Sequence, residues 1–263
     1  MTLPLLLGAI VGLTLGVLGG GGSILAIPFL TYGLGLEPKP AVATSLGVVG
    51  AAALLASVIH ARAGHLQWRV ALVFGALGAV GAAIGSQLAR FLPGALQLVI
   101  FSGVMLFVGV RMVRSARKGE EDEEAGEDAP PPQAFSAKVV VAALLTGVLT
   151  GVVGVGGGFL IVPALVFLVG LTTRQAIGTS LAVIVLNSVG GSLGYSSYVE
   201  LDLRLALPFV LGAALAGVAG SWIGQKISPA RLRMAFGVGI VLVGLAMGAH
   251  EGWNLLHQSG AVS

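Results

Sequence analysis

Two glycine-rich stretches interrupt apolar sequence in this 263-residue chain: "GVLGGGGSILAIP" at residues 16–28 and "GVVGVGGGFLIVP" at residues 151–163. Consecutive glycines break a helix and leave backbone N–H groups uncovered. A helix that starts directly after such a break adds the positive end of its dipole, and the two features together bind small anions. The residues predicted to supply these donors are Gly20, Gly21, Gly22, Ser23, Gly156, Gly157 and Gly158.

Hydroxyl and amide side chains lie close to the same stretches. Thr44–Ser45 and Thr179–Ser180 occupy equivalent places after the two breaks, and their hydroxyls are neutral donors that suit an oxyanion. Helix capping or bonding to the preceding turn explains them equally well, so both readings stay open. Asn187 lies inside the apolar run "VIVLNSVGGS", where its amide must either link helices or face a transport pathway. We include Asn187 among the candidate binding residues.

Several chemistries are excluded by the residues available. The chain has no cysteine, so it has no thiol nucleophile and no thiolate ligand. No Lys-Ser or Lys-Thr pair follows the glycines, as a phosphate-binding P-loop would require. No Asp, Glu, Lys or Arg lies in the central part of the long apolar runs described below. An enzyme embedded in a membrane would need clustered ionisable groups there. We therefore predict a protein that is not an enzyme and that has no cofactor and no metal site.

The composition predicts a polytopic all-α membrane protein. Hydrophobic residues make up 56% of the chain and charged residues 10%, whereas soluble proteins carry roughly 25% charged residues. The lipid bilayer is thus the expected environment, and the dispersed basic residues indicate no nucleic-acid partner. Six apolar runs approach or reach the ~20 residues that a membrane helix needs. They cover residues 41–59, 70–89, 95–110, 176–193, 205–224 and 234–249.

An acidic linker divides the chain into two repeats. Residues 119–132, "GEEDEEAGEDAPPP", cannot bury apolar area and are expected to be solvated and without a fixed fold. On either side the sequence repeats with an offset of 135: residues 16–48 and 151–183 share 15 identities in 33 aligned positions. The predicted organisation is an N-terminal repeat (1–113), an acidic cytoplasmic linker (114–137), a C-terminal repeat (138–250) and a short tail (251–263).

The distribution of basic residues predicts the orientation of the repeats. If each glycine-rich stretch turns back as a re-entrant hairpin, each half has three transmembrane helices, and the two halves are inverted. Eleven basic residues then share one face and three the other, the asymmetry expected of a cytoplasmic face. If each stretch crosses the membrane instead, the split is eight to six. We predict the hairpin, and a long kinked helix remains the alternative.

The glycine runs, the prolines that follow them (Pro28 and Pro163) and the motifs "AVATSL" and "AIGTSL" resemble the TauE/SafE sulfite exporter family. The resemblance extends over nearly the whole chain. It implies passage of small sulfur-containing anions, such as sulfite or organosulfonates, across a bacterial inner membrane. The long acidic linker departs from the family pattern and is not expected to affect transport.

The favoured hypothesis is a secondary transporter, an exporter of such anions, that works by alternating access. An anion channel and a transporter of another small anion, such as a carboxylate, are the alternatives. The predicted location is the bacterial inner membrane, with several passes. The sequence leaves the identity of the anion, the coupling ion and the oligomeric state open, with a homodimer as one option.

Overall fold

The structure is a computed structural model that describes residues 2–18, 23–118, 136–154, 156–224 and 229–260. Over these ranges the chain is helical and forms no β-strand, which confirms the predicted all-α class. Five of the described helices are long and apolar enough to cross a membrane. They are α3 (Pro38–Arg62), α4 (Trp68–Ala89), α5 (Gly94–Lys118), α8 (Thr173–Tyr195) and α9 (Leu203–Gly224).

The remaining helices include the two broken segments and the last helix. The first half begins with α1 (Thr2–Leu18), followed by the short α2 (Ala26–Pro28), which continues as π-helix over Phe29–Gly33. The second half begins with α6 (Ala137–Val153), followed by α7 (Gly158–Ala164), which continues as π-helix over Leu165–Val169. It ends with α10 (Pro229–Gly260), of which Gly237–Glu251 is a shorter apolar stretch. Both halves therefore have the same order of elements.

The proline of each repeat explains the wide turn that follows it. Pro28 ends α2 and Pro163 lies inside α7, and a π-helical turn begins one or two residues later in each arm. Proline has no N–H to donate and its ring collides with the carbonyl of the preceding turn, so the regular bonding pattern cannot continue. The equivalent prolines thus give the two return arms, Ser23–Gly33 and Gly158–Val169, the same irregular shape.

Glycines bring helices of opposite halves into close contact. A Cβ on Gly8 or Gly12 of α1 would lie closer than 3.0 Å to backbone atoms of Phe209 or Ala213 in α9. The equivalent helix α6 packs on α4 in the same way, with Gly147 against the Gly78 backbone. Small residues allow this approach in lipid, where packing rather than the hydrophobic effect holds helices together. The spaced glycines Gly81, Gly85, Gly212 and Gly220 also lie against a neighbouring backbone.

Helices α3 and α8 cross in the core of the molecule. They run antiparallel, since Gly50 of α3 meets Ser188 of α8, and His60 at the end of α3 meets Gly178 near the start of α8. Many buried apolar residues of α3, α4, α6 and α8 form one cluster with parts of both return arms. This crossing determines where the second break lies.

Candidate functional site

The second break is a glycine-built turn between α6 and α7. Helix α6 ends at Val153, and Gly154 and Gly157 have φ values of 75° and 69°. Only glycine adopts this left-handed conformation at little cost, because a Cβ would collide with the backbone. Gly154 N–H still donates to Thr150 O at 2.7 Å, which closes the last turn of α6. The predicted interruption of the helix is thus present in the second half.

The break lies buried at the crossing of α3 and α8. A Cβ on Gly156 would come within 2.6 Å of Val49 Cγ1 and 2.8 Å of Ile184 Cγ2. The predicted donors Gly156, Gly157 and Gly158 are all buried. The repeat-related helices of both halves therefore enclose the backbone of the break.

Backbone N–H groups at the start of α7 precede its first hydrogen-bonded turn. Gly157 O accepts from Leu160 N–H at 2.8 Å and from Ile161 N–H at 2.9 Å, so the regular pattern begins with these donors. The first N–H groups of any helix have no acceptor within the helix itself. In α7 these are the N–H groups of Gly158 and Phe159. They lie at the N-terminus of the helix, which is the positive end of its dipole.

Side chains of the first half cap the carbonyl groups where α6 ends. Gln97 Nε2 of α5 donates to Val152 O at 2.5 Å. Ser45 Oγ of α3 lies 2.5 Å from Gly154 O and 2.7 Å from Val42 O, and its single hydrogen serves one of these at a time. A helix end at membrane depth needs such partners because no lipid group can satisfy its carbonyls. Ser45 thus contacts the second break directly.

The other three hydroxyls of the repeated pairs have different surroundings. Ser180 donates to Ile177 O in its own helix at 2.8 Å, the local bonding weighed as the alternative. Thr179 Oγ1 accepts from Gln67 N–H at 3.1 Å and so binds the connection between α3 and α4. Thr44 is buried in α3. Of these four hydroxyls, Ser45 is the one for which a bond to the described break is found.

Asn187 and Ser188 are buried in the middle of α8 with unsatisfied side chains. Asn187 is fully buried, and neither Oδ1 nor Nδ2 has a hydrogen-bond partner in the described part of the chain; the same holds for Ser188 Oγ. Asn187 lies against Gly78 of α4, whereas Ser188 lies against Gly50 of α3. A buried amide without a partner is unfavourable by roughly 1–3 kcal/mol, so a ligand or water that pairs with it is stabilising.

Of the first glycine-rich stretch, the centre is not among the described residues. Gly20, Gly21 and Gly22 lie outside the described residues. Ser23 is fully buried and begins the return arm, at the place that Gly158 has in the second half.

Sequence reasoning missed a polar cluster next to the second break. Tyr195 at the end of α8 accepts from Gln97 Nε2 at 2.7 Å, and its ring contacts that of Tyr198, with ring centroids 5.4 Å apart. Arg90 lies over the Tyr198 ring, 5.9 Å from its centroid. Desolvation raises the pKa of the Tyr198 hydroxyl, which donates to Ser86 O. The one signal in the sequence was a glutamine within the apolar run "ALQLVIF".

The architecture defines a multi-pass helical membrane protein whose two halves share one element order, with a glycine-built break described in the second half. The sequence matches the family described as "Sulfite exporter TauE/SafE" over residues 4–247, and the chain belongs to this family of membrane transporters. Membrane transport is not an enzyme class.

Curated relatives support the same assignment. A probable membrane transporter protein of Xylella fastidiosa (strain 9a5c) is 35% identical over 90% of this chain and 91% of its own length. The probable membrane transporter protein YdhB of Bacillus subtilis is 28% identical over 83% of this chain and 86% of its own. A probable membrane transporter protein of Methanocaldococcus jannaschii is also 28% identical, over 94% and 96%. No solved structure matches this chain.

Proposed function

We propose that this protein is a secondary transporter that exports small sulfur-containing anions, such as sulfite or organosulfonates, by alternating access. The observation that most directly supports this proposal is the buried glycine break between α3 and α8, in a chain that belongs to a family named for sulfite export. The anion binds backbone N–H groups at the breaks together with neutral side-chain donors. This arrangement needs no buried cation, whose desolvation would be costly.

The unsatisfied groups on α8 support a binding role for Asn187. A side chain that is fully buried and unpaired has donor capacity left for a ligand. A hydrogen bond to a charged ligand contributes roughly 1.5–3 kcal/mol, more than a bond between neutral groups. We therefore propose that Asn187 Nδ2 turns to the anion when α4 and α8 separate during the cycle.

We also propose that the halves are inverted repeats with re-entrant hairpins. Three parallel packings support this. Gly147 and Gly151 of α6 meet Gly78 and Ala82 of α4, so α6 runs parallel to α4.

Helix α8 runs parallel to α4 as well, since Gly190 meets Ala79 and Gly194 meets Ala83 and Ser86. Because α6 and α8 point the same way, the segment between them must turn back.

The first half repeats this relation in the opposite sense. Gly8 and Gly16 of α1 meet Phe209 and Gly217, so α1 runs parallel to α9, which returns after α8 through a short connection. Helix α3 is antiparallel to α8, and therefore α1 and α3 share one direction, opposite to that of α6 and α8. We propose the boundaries 1–113, 114–137, 138–250 and 251–263 for the two repeats, the cytoplasmic linker and the tail.

The proposed location is the bacterial inner membrane, with the linker in the cytoplasm. An anion that leaves an inside-negative cell gains roughly 2.3 kcal/mol per charge for each 100 mV of membrane potential. Export is therefore favourable without consumption of ATP.

Ligand binding by the purified protein tests the substrate class. We expect sulfite or a sulfonate to raise the melting temperature, since a ligand at about 100 times its Kd stabilises the folded state by roughly 2.7 kcal/mol. Sulfate, thiosulfate and carboxylates form the comparison set. Asn187→Ala should remove most of the ligand-induced shift, whereas Gly103→Ala on the open face of α5 should keep it. A shift with carboxylates alone would overturn the assigned substrate class.

Flux into liposomes then separates a transporter from a channel. Alternating access requires each anion to wait for a conformational change, so the initial rate should saturate with concentration. A rate that rises in proportion to concentration throughout would favour the channel instead.

A further inference from the structure

Of the buried residues that the structure describes, Glu251 of α10 is the one charged side chain, with 7% of its surface exposed. Glu251 follows the proposed C-terminal repeat directly and belongs to α10, which continues to Gly260. Burial of a carboxylate is unfavourable unless partners compensate for the lost water. In a membrane transporter such a group is a candidate functional site.

Two titratable side chains from different elements meet this carboxylate. Tyr32, at the end of the first return arm, donates its hydroxyl hydrogen to Glu251 Oε1 at 2.9 Å. His250 Nδ1 lies 3.2 Å from the same oxygen, and 61% of the histidine side chain is exposed. The Tyr32 and His250 rings also touch edge to face, with their centroids 5.7 Å apart. The carboxylate thus connects the return arm, α10 and water.

The neighbouring helix contributes no further charge. Helix α10 packs on α5, and Gly248 lies against Ser102. The first three turns of α5, residues 94–104, contain no ionisable side chain. The groups that face Glu251 from the described elements are therefore Tyr32 and His250.

The location gives this cluster a mechanical role. Tyr32 belongs to the arm that follows the first glycine run, and Glu251 belongs to the last helix of the other half. A bond between them fixes the arm to the opposite half. If the arm moves in the transport cycle, either this bond breaks or Glu251 moves together with the arm.

Resting on the proposed transport function, we propose that Glu251, Tyr32 and His250 form a proton-binding site that controls movement of the first return arm. The ionised carboxylate holds the Tyr32 hydroxyl through a charge-assisted bond, roughly twice as strong as a neutral one. When a proton from the solution binds Glu251, the charge is lost and the bond weakens. Low pH on the side of the membrane where α3 begins therefore releases the arm. High pH on that side keeps the arm bound to Glu251.

Exchange of backbone hydrogen for deuterium tests the site without any substrate. In the wild-type protein, after correction for the intrinsic pH dependence of exchange, residues 23–33 should exchange about tenfold faster at acid than at alkaline pH. Glu251→Gln keeps an acceptor for Tyr32 but cannot be ionised, so its arm should exchange fast at every pH. Tyr32→Phe removes the donor and should give the same result.

Glu37→Gln is the matched control, because Glu37 is an exposed carboxylate at the start of α3 whose side chain makes no capping bond. It should behave like the wild type. Wild-type pH dependence in Glu251→Gln or in Tyr32→Phe would overturn the proposal, and so would an arm that exchanges slowly at all pH values in both variants.

Flux measurements in liposomes separate this proposal from the proposed function. Methanesulfonate is the probe, because its ionisation does not change over the pH range tested, unlike that of sulfite. Faster wild-type transport at acid pH on the α3-start face, with fast and pH-independent transport by Glu251→Gln, would support the proton site. Equal pH dependence in the two proteins would refute it. Absence of saturable transport of any sulfur anion by the wild type would refute the proposed function, and the exchange experiment would still decide on the site.

Discussion

At the scale of single residues, the second break depends on side chains from the other half. Gln97 and Ser45 both bind carbonyl oxygens where α6 ends, and neither belongs to the repeat that contains α6. The repeated Thr-Ser motif marked Ser45 as a candidate binding residue but did not predict its contact with the break of the other half. The position of Gln97 was not predicted either, because its equivalent in the second half is Leu232 and no repeated pattern marks it.

Gln97→Leu should destabilise the protein by about 1–3 kcal/mol, because Val152 O loses its donor in a partly buried position. The melting temperature of the purified protein measures the effect. Tyr195→Phe, which removes only the hydroxyl that Gln97 also contacts, should have a smaller effect. An unchanged melting temperature in Gln97→Leu would show that Val152 O finds another partner.

Ser45→Ala should slow transport more than Ser180→Ala. Ser45 contacts the second break, whereas the bond found for Ser180 stays within its own helix. The comparison uses saturable methanesulfonate flux at equal amounts of reconstituted protein. Equal rates in the two variants would argue against a special role of Ser45.

At the scale of the helices, spaced glycines and consecutive glycines have different roles. Spaced glycines such as Gly147 allow α6 to touch α4, whereas Gly154 and Gly157 have backbone angles that end one helix before the next begins. The spacing of glycines along the sequence distinguishes these roles, because packing needs glycines on one helix face and a break needs them together. The π-helical turns were not predicted, because they depend on how each proline is accommodated in the packed arm.

Gly147→Ala should destabilise the protein, since the new methyl group would collide with the backbone of Gly78. Overpacking of this kind is typically unfavourable by about 1–3 kcal/mol. Gly103→Ala in α5 is the matched control, because a Cβ there meets open space and alanine favours the helix. Thermal unfolding in detergent compares the two variants. If Gly147→Ala lowers the melting temperature no more than Gly103→Ala does, the close contact between α6 and α4 is contradicted.

At the scale of the whole molecule, the repeat predicted the order of elements and their equivalence. Helices α4 and α9 begin and end at residues that differ by the predicted offset of 135. Helix α10 continues to Gly260, past the apolar run at residues 234–249 that indicated a span. The contact of Glu251 with Tyr32 joins residues that are far apart in the sequence, and no local pattern reveals it.

The absence of cysteine allows a direct test of topology. Single cysteines at Ala63 and at Ala125 in the linker should react with an impermeant reagent from the cytoplasmic face. Cysteines at Glu37 and Glu200 should react from the opposite face. Of these four positions, Ala63, Glu37 and Glu200 belong to the described residues, and all three are exposed. Labelling of positions 63 and 37 from the same side would contradict the inverted arrangement.

The unmatched polar residues of α8 have an energetic consequence for a two-fold related pair of halves. Asn187 and Ser188 correspond to Ala52 and Ala53 in the first repeat. Were the two halves identical, exchanging their conformations would turn an inward-open state into an outward-open state of the same free energy. Under the proposed alternating access, hydrogen-bonding groups on one side and methyl groups on the other give the two states different free energies. The empty carrier would then rest preferentially open to one compartment, and Asn187 and Ser188 contribute to that preference.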